Sequence, residues 1–272
     1  MKCLLYMILF LPVVYLQSQD ECGKVSLSCE FPTSRISGGE ETCSEMQPWH
    51  ALIKFQGKHM KCGGVLITDR HVLSAAHCYW SNSVNCHVKF HSFTLEQCRA
   101  DVGCTNSGCI RFGEHDILVY LGVTDSAELG YGEVKTLEKL DLHPGWVKET
   151  QQNGILQGND LAVLTLRSRV DTACTHIMPI CLPLQPSVIG KMAYVVGFGL
   201  QSGNTLSTTR LKKAEVQIMK CENRAGTQKW PIRGNQLCAL GEETDQVTVG
   251  DACRGDSGGG LFYVDASNKR NS

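Results

Sequence analysis

Residues 251 to 260 read Asp-Ala-Cys-Arg-Gly-Asp-Ser-Gly-Gly-Gly, and the interpretation of the whole chain depends on this stretch. At its centre, Ser257 lies between glycines and directly after the carboxylate of Asp256. A serine hydroxyl becomes a nucleophile when a base takes its proton and backbone N–H groups stabilise the oxyanion that forms. Glycines let the backbone turn such N–H groups towards a substrate. The stretch predicts a nucleophilic serine if the chain supplies a base; otherwise it is a Gly-rich turn between strands.

Two further residues provide a candidate base and a candidate carboxylate. His77 ends the run Leu73-Ser-Ala-Ala and precedes Cys78, and Asp160 opens an apolar strand. Each residue would be an ordinary structural side chain on its own. In the order His77, Asp160, Ser257, they resemble the trypsin/chymotrypsin family of serine proteases, and the resemblance extends over residues 36 to 264.

The resemblance implies a role for each site residue. Ser257 would attack the scissile carbonyl, His77 would take the serine proton and return it to the leaving amine, and Asp160 would orient the imidazole. The N–H groups of Gly255 and Ser257 would form the oxyanion hole. Asp251 matches the acid at the base of the specificity pocket in trypsin-like members, which implies protein or peptide substrates cleaved after Arg or Lys.

The resemblance also implies activation by proteolysis. Ile36-Ser-Gly-Gly resembles the family's Ile-Val-Gly-Gly, and Arg35 precedes it, so an activating protease would cut after Arg35. The new ammonium of Ile36 would then pair with Asp256, which would otherwise be a buried carboxylate without a counter-charge. Breaking such a buried ion pair costs about 3–5 kcal/mol, which is enough to couple cleavage to ordering of the pocket. Protease inhibitors are further candidate partners of such an enzyme.

Short apolar runs separated by turns predict an all-β fold. The resemblance implies that this all-β fold consists of two Greek-key antiparallel β-barrels, and a chain of 272 residues is long enough to form them. The predicted strands cover 51–55, 64–68, 73–78, 161–166, 193–196, 214–219 and 261–264. Residues 79–110 and 143–159 are expected to be surface insertions, and they account for an interval between His77 and Asp160 that is longer than in the family.

Fifteen cysteines favour disulfides and an oxidising compartment. The resemblance implies bridges Cys62–Cys78 and Cys221–Cys238, and a bridge from Cys181 to a lead cysteine, either Cys22 or Cys29. With Cys3 in the leader and Cys253 left without its family partner, seven cysteines stay unassigned: Cys43, Cys86, Cys98, Cys104, Cys109, Cys174 and the spare lead cysteine. Zinc binding by some of them is the less favoured alternative, because their spacings are irregular.

The chain begins with an apolar segment typical of a secretory signal. Residues 1–18 combine Lys2 with an apolar run interrupted by Pro12, which is short for a membrane span. Residues 19–35 would be a Cys-bearing propeptide, and residues 36–272 the peptidase domain. We therefore expect a secreted, extracellular protein. The net charge of −1 gives no reason to expect nucleic-acid or membrane binding.

No cofactor or metal is expected. Glu114-His115-Asp116 resembles the start of a calcium-binding loop in trypsins, but the downstream oxygen ligands do not align. An ordinary solvated turn is the favoured interpretation of these residues.

The residues after Ser257 depart from the family. Family members continue with a substrate-binding strand, a cysteine that bridges to the Cys253 position and a terminal helix, and residues 258–272 match none of these. The expectation is a second barrel without its last strands. The alternative function is therefore a truncated, non-catalytic protease homologue that acts as a binding or decoy module.

Overall fold

The structure is a computed structural model of the chain. It describes residues 22–25, 40–44, 46–57, 61–81, 104–105, 108–110, 112–146, 159–172, 176–183, 188–199, 209–220, 237–241, 255–265 and 270–272. Several predicted features lie outside the described residues: the leader over 1–18, the Arg35–Ile36 junction, Asp251 and Cys221.

Short strands dominate the described part of the chain, and the all-β prediction is confirmed. The strands are β1 (Glu40–Glu41), β2 (His50–Phe55), β3 (Lys61–Leu66), β4 (His71–Ser74), β5 (Trp80–Ser81), β6 (Cys104–Thr105), β7 (Gly108–Ile110), β8 (Ile117–Leu121), β9 (Glu133–Leu142), β10 (Ala162–Leu166), β11 (Met192–Gly197), β12 (Lys212–Met219), β13 (Cys238–Leu240), β14 (Leu261–Phe262), β15 (Val264–Asp265) and β16 (Arg270–Asn271). Short 3-10 helices cover Ala76–Cys78, Glu114–Asp116 and Leu129–Tyr131. Within the described residues, no helix is long and apolar enough to cross a membrane.

Six strands close an antiparallel barrel in the order β10-β4-β3-β2-β8-β9. The sequence explains which face of each strand turns inward, because successive strand side chains point to opposite faces. In β8 (Ile-Leu-Val-Tyr-Leu) and β10 (Ala-Val-Leu-Thr-Leu), the first, third and fifth residues are buried. Closure leaves no unpaired strand edge, so the barrel is a rigid support for the loops at its ends.

The second predicted barrel is represented in the described residues by a five-stranded sheet. Its strands run in the order β1-β12-β11-β14, and β13 also pairs with β12. Val196 and Phe262 from this sheet belong to the same buried cluster as Trp49, and the rings of Trp49 and Phe262 meet edge-on with centroids 5.1 Å apart. Because His77 follows β4 and Ser257 precedes β14, one shared core supports both residues.

Several strand boundaries differ from the prediction. Residues 73–78 do not form one strand: β4 ends at Ser74, and the chain turns into a 3-10 helix that buries Ala76 and Cys78. The run 261–264 is divided between β14 and β15. Within residues 79–110, where no strand was predicted beyond the surface insertion, the described residues form the paired strands β5, β7 and β6. These strands are only two or three residues long, so they are too short to show an alternating pattern in the sequence.

The lead segment is joined to the body at Cys22. Cys22 forms a disulfide with Cys181, which decides between the two lead cysteines considered above. Next to it, the N–H of Gly23 donates to the carbonyl of Pro179 at 2.8 Å, and Asn271 Nδ2 donates to the carbonyl of Gly23 at 2.9 Å. The lead is therefore packed into the body at this point.

Candidate active site

The turn after β4 positions His77. Cys78 is disulfide-bonded to Cys62 in β3, which ties the 3-10 helix to the barrel wall. Ala76 and Cys78 are buried on either side of His77. The histidine is thereby held between two buried residues, while its own side chain keeps 18% exposure and remains accessible.

Asp160 lies at the start of β10, beside the same turn. Strand β10 pairs with β4 with Ala162 opposite Ser74, so the residues before Ala162 lie beside the residues after Ser74. Asn159 adopts a positive φ of 51°, a conformation that asparagine tolerates better than most residues. This bend brings the carboxylate of Asp160 to His77.

Both oxygens of Asp160 bind His77. The backbone N–H of His77 donates to Asp160 Oδ1 at 2.7 Å, and His77 Nδ1 lies 2.6 Å from Asp160 Oδ2. Because a carboxylate accepts, the proton of a neutral imidazole resides on Nδ1, and Nε2 is left as the acceptor. This is the tautomer that a general base needs when it faces a hydroxyl group with Nε2.

The loop that carries Ser257 is held against β3. Gly63 N–H donates to the carbonyl oxygen of Ser257 at 2.8 Å, and Cys78 Sγ lies 3.6 Å from the same oxygen. The loop is closed by a bond from Gly259 N–H to the carbonyl of Asp256 at 2.9 Å. The structure therefore brings the Ser257 loop to the disulfide that flanks His77.

Gly255 and Gly258 give the loop its shape. Their φ angles are +100° and +86°, values that L side chains rarely adopt. The two glycines bracket Ser257 and allow backbone N–H groups to turn outward, which is the property inferred from the sequence.

The Asp256 side chain lies beside the residues at the end of β11. One carboxylate oxygen accepts a hydrogen bond from Gly199 N–H at 2.7 Å. A Cβ added to Gly197 or Gly199 would overlap the carboxylate, so both positions leave the room that Asp256 occupies.

Lys61 is a charged neighbour of this loop that was not among the predicted site residues. An added Cβ on Gly255 would lie 3.3 Å from Lys61 Cε, and Lys61 Nζ lies 5.9 Å from the centroid of the Phe198 ring. Burial lowers the pKa of Lys61, while the charge of Asp256 raises it and that of Lys54 lowers it. In the sequence, Lys61 directly precedes Cys62 of the predicted Cys62–Cys78 bridge, and this position could have indicated that it lies near the site.

The other predicted site residues fall into two groups. Cys238 is disulfide-bonded, as is the unassigned Cys43, whereas Cys221, Asp251, Arg35 and Ile36 lie outside the described residues.

The two acids of the turn that resembles a calcium-binding loop form hydrogen bonds within the protein. Glu114 Oε1 accepts from Leu140 N–H at 3.3 Å, and Asp116 Oδ2 accepts from Gly113 N–H at 3.1 Å. Within the described residues, no group of three or more His, Cys, Asp or Glu side chains could hold a metal ion.

Comparison with known proteins gives a consistent result. The trypsin family model matches residues 36–267. Melanization protease 1 of Drosophila melanogaster is 33% identical over 247 residues, which cover 86% of this chain and 55% of the relative. CLIP domain-containing serine protease B10 of Anopheles gambiae is 32% identical over 252 residues, 89% of this chain and 61% of the relative. Phenoloxidase-activating factor 3 of Holotrichia diomphalia is 30% identical over 256 residues, 91% of this chain and 63% of the relative. The chain thus spans 55% to 63% of the length of these relatives.

Proposed function

This chain belongs to the trypsin family of serine proteases, and we propose that it is a secreted endopeptidase that cleaves protein substrates after Arg or Lys. The observation that carries the proposal is the double hydrogen bond of His77 to Asp160, at 2.7 and 2.6 Å, beside a glycine-flanked Ser257. This arrangement supplies a nucleophile, a base and the group that orients the base.

The proposed reaction proceeds through an acyl-enzyme. Ser257 Oγ bonds to the scissile carbonyl carbon as its proton passes to His77 Nε2, and the carbonyl electron pair moves to oxygen. The N–H groups of Gly255 and Ser257 stabilise that oxyanion, and each donor contributes about 2.7–4 kcal/mol in the transition state. The C–N bond then breaks and the amine takes the proton from His77. Water, deprotonated by His77, hydrolyses the ester and restores Ser257.

The preference for Arg and Lys rests on Asp251. Its position six residues before Ser257 resembles that of the pocket acid in trypsin-like members. A carboxylate at the base of a pocket pairs with a guanidinium or ammonium group of the substrate. An apolar substrate side chain would instead leave that carboxylate buried without a counter-charge. The proposal therefore assigns Asp251 to substrate binding.

Activation is proposed to follow cleavage after Arg35. Asp256 is placed beside Gly197 and Gly199, where an incoming Ile36 ammonium would add an ion pair to the existing bond from Gly199 N–H. Because Asp256 adjoins Ser257, the ion pair between Ile36 and Asp256 would order the Ser257 loop, whose N–H groups form the proposed oxyanion hole. Residues 1–18 are assigned as a leader, 19–35 as a propeptide that stays attached through Cys22–Cys181, and 36–272 as the peptidase domain.

The natural substrates are proposed to be other proteins that require limited cleavage. One of the relatives is named a phenoloxidase-activating factor and another a melanization protease. We infer from those names an extracellular cascade in which one protease activates this chain and this chain cuts a further proenzyme. Protease inhibitors are candidate partners of the activated form.

The test uses the full chain expressed with its own leader in insect cells. The secreted protein is nicked with immobilised trypsin, and sequencing of the new N-terminus establishes that Ile36 is exposed. Hydrolysis is then measured on matched peptide amides that differ only in ending in Arg, Lys or Phe. Ser257→Ala and Arg35→Gln are prepared in the same way.

We expect the nicked chain to cleave the Arg and Lys amides at least about 10⁴-fold faster than Ser257→Ala. Arg35→Gln should stay inactive, and the Phe amide should be a poor substrate. Activity no greater than that of Ser257→Ala would overturn the enzyme proposal in favour of a binding module. Equal rates on the Arg and Phe amides would overturn the role of Asp251.

A further inference from the structure

A chain of hydrogen bonds runs from the barrel core to the carbonyl of Ser257. The Tyr79 hydroxyl donates to Ser74 Oγ at 3.0 Å, and Ser74 Oγ donates to the carbonyl of Gly63 at 2.8 Å. The N–H of the same Gly63 donates to the carbonyl of Ser257 at 2.8 Å. Three bonds therefore connect a tyrosine with no exposed surface to the serine proposed as nucleophile.

Each donor in this chain has a fixed direction. Burial raises the pKa of Tyr79, although the bond to Ser74 lowers it, so the phenol keeps its proton and donates throughout the working pH range. Ser74 is 3% exposed, and its hydroxyl accepts from Tyr79 and donates to Gly63. A hydroxyl has a single proton, so Ser74 can satisfy both neighbours only in this orientation.

Ser74 also packs directly against the Ser257 loop. A Cβ added to Gly258 would overlap Ser74 Oγ and lie 2.5 Å from the Gly63 carbonyl. Ser74 is the last residue of β4, three residues before His77. The Ser74 hydroxyl thus contacts both Gly63 in β3 and Gly258 in the Ser257 loop. Ser74 also lies at the start of the turn that carries His77.

We propose that Tyr79 and Ser74 are positioning residues that set the distance between the hydroxyl of Ser257 and the imidazole of His77 by fixing Gly63. The inference rests on the proposed protease function. Proton transfer requires the two groups to approach within hydrogen-bond reach, and a displacement of about 1 Å can lower a rate about 100-fold. Both side chains are buried, so we expect this Tyr79–Ser74–Gly63 chain of hydrogen bonds, called the relay below, to act on the chemical step and to leave substrate binding unchanged.

The test compares variants of the relay with a matched control on the nicked full chain. Tyr79→Phe removes one proton donor and keeps the ring, Ser74→Ala removes the central hydroxyl, and Ser74→Thr retains a hydroxyl. Val119→Ala, at a fully buried barrel position outside the relay, is the control for lost stability. The measurements are kcat and KM on an Arg amide, the rate at which an organophosphate modifies Ser257, the inhibition constant of benzamidine, and Tm.

We expect Tyr79→Phe and Ser74→Ala to lower kcat and the organophosphate rate 5- to 50-fold, with KM and the benzamidine constant within twofold of wild type. Ser74→Thr should recover kcat to within threefold. Val119→Ala should lower Tm and leave kcat within twofold. Should Ser74→Ala fail to fold, Tyr79→Phe carries the test, because its shape is almost unchanged.

Unchanged kcat in Tyr79→Phe would overturn the relay, and so would an equal loss of kcat in Val119→Ala. Either result is compatible with an active wild-type enzyme and leaves the proposed function standing. A wild-type protein no more active than Ser257→Ala would instead overturn the protease function, and the relay with it.

Discussion

At the scale of single residues, the backbone of the Ser257 loop is as specific as its side chains. Gly258 has a φ of +86°, and the place of a side chain there is taken by Ser74 and Gly63. Gly190 has the same φ of +86°, but an added Cβ would have no atom of the described residues within 4 Å. The two glycines therefore separate the cost of an unfavourable φ from the cost of a steric overlap.

This pair gives a prediction for alanine substitution. Gly190→Ala should lower the free energy of unfolding by about 1–2 kcal/mol, the cost of a side chain in the left-handed region. Gly258→Ala should cost about 1–3 kcal/mol more, because the overlap adds to the same strain, and it should abolish peptidase activity. Urea unfolding of both variants in the Ser257→Ala background, which prevents autolysis, measures the difference. Equal losses for the two variants would show that the close packing of Ser74 against Gly258 is unimportant.

The candidate catalytic residues could be selected from sequence because their signals are local. Ser257 and His77 each lie in a short, distinctive stretch, and Asp160 opens an apolar strand. The contacts of Lys61, Ser74 and Tyr79 depend on how β3 and β4 lie against the Ser257 loop. That arrangement follows from strand register across the barrel, which no local pattern encodes. The sequence therefore allowed the candidate catalytic residues to be selected, and it gave no comparable signal for the residues that contact the Ser257 loop.

At the scale of elements, the chain leaves the strand after Ser74 and turns into the 3-10 helix whose last residue, Cys78, is disulfide-bonded to Cys62. An apolar run such as 73–78 is compatible with a continued strand, and tertiary context ended it. Strands β8 and β9 were also not predicted. Strand β9 is largely exposed, and only Leu137 of its ten residues is buried, so its solvent face carries a polar sequence without clear alternation. Strand β10, whose buried face alternates, was predicted closely, but β8 alternates in the same way and was not predicted, so alternation alone did not decide which strands were found.

Removal of this disulfide should affect both stability and catalysis. The bond closes a loop with a sequence separation of 16, so the double variant Cys62→Ala/Cys78→Ala should lose about 3 kcal/mol of unfolding free energy. It should also lower kcat, because Cys78 Sγ lies 3.6 Å from the carbonyl of Ser257 and follows His77. Urea unfolding of the uncleaved chain and kcat of the nicked chain measure the two effects.

The second disulfide provides the matched control. Cys22–Cys181 has a sequence separation of 159, and the backbone hydrogen bonds beside it are to Pro179 and Asn271, so Cys22→Ser/Cys181→Ser should cost at least as much stability. Its kcat should remain within twofold of wild type. A comparable fall of kcat in both double variants would mean that activity follows overall stability, and the specific role of Cys62–Cys78 would be wrong.

At the scale of the whole molecule, the barrel and the five-stranded sheet meet around a core that also contains a titratable group. His50, at the start of β2, is 6% exposed, and its ring lies 5.6 Å from that of Phe198, the residue after β11. Its Nε2 has no hydrogen-bond partner among the described residues. A charged imidazole in this environment would be poorly solvated, and burial accordingly lowers the pKa of His50 to about 4.

This histidine should make the molecule acid-sensitive. In the unfolded chain His50 titrates near its ordinary pKa of 6.5, so between that value and about 4 the unfolded state binds a proton that the folded state excludes. Its contribution to stability is therefore fully present above pH 6.5 and is lost as the pH falls towards 4, by about 3 kcal/mol. Urea unfolding of the Ser257→Ala chain between pH 4 and 7.5 should show this slope, and His50→Leu should reduce it by up to one proton. His115→Gln, at a side chain that is 85% exposed, is the matched histidine control. An identical slope in His50→Leu and the parent chain would rule out the shared core as the origin of the acid sensitivity.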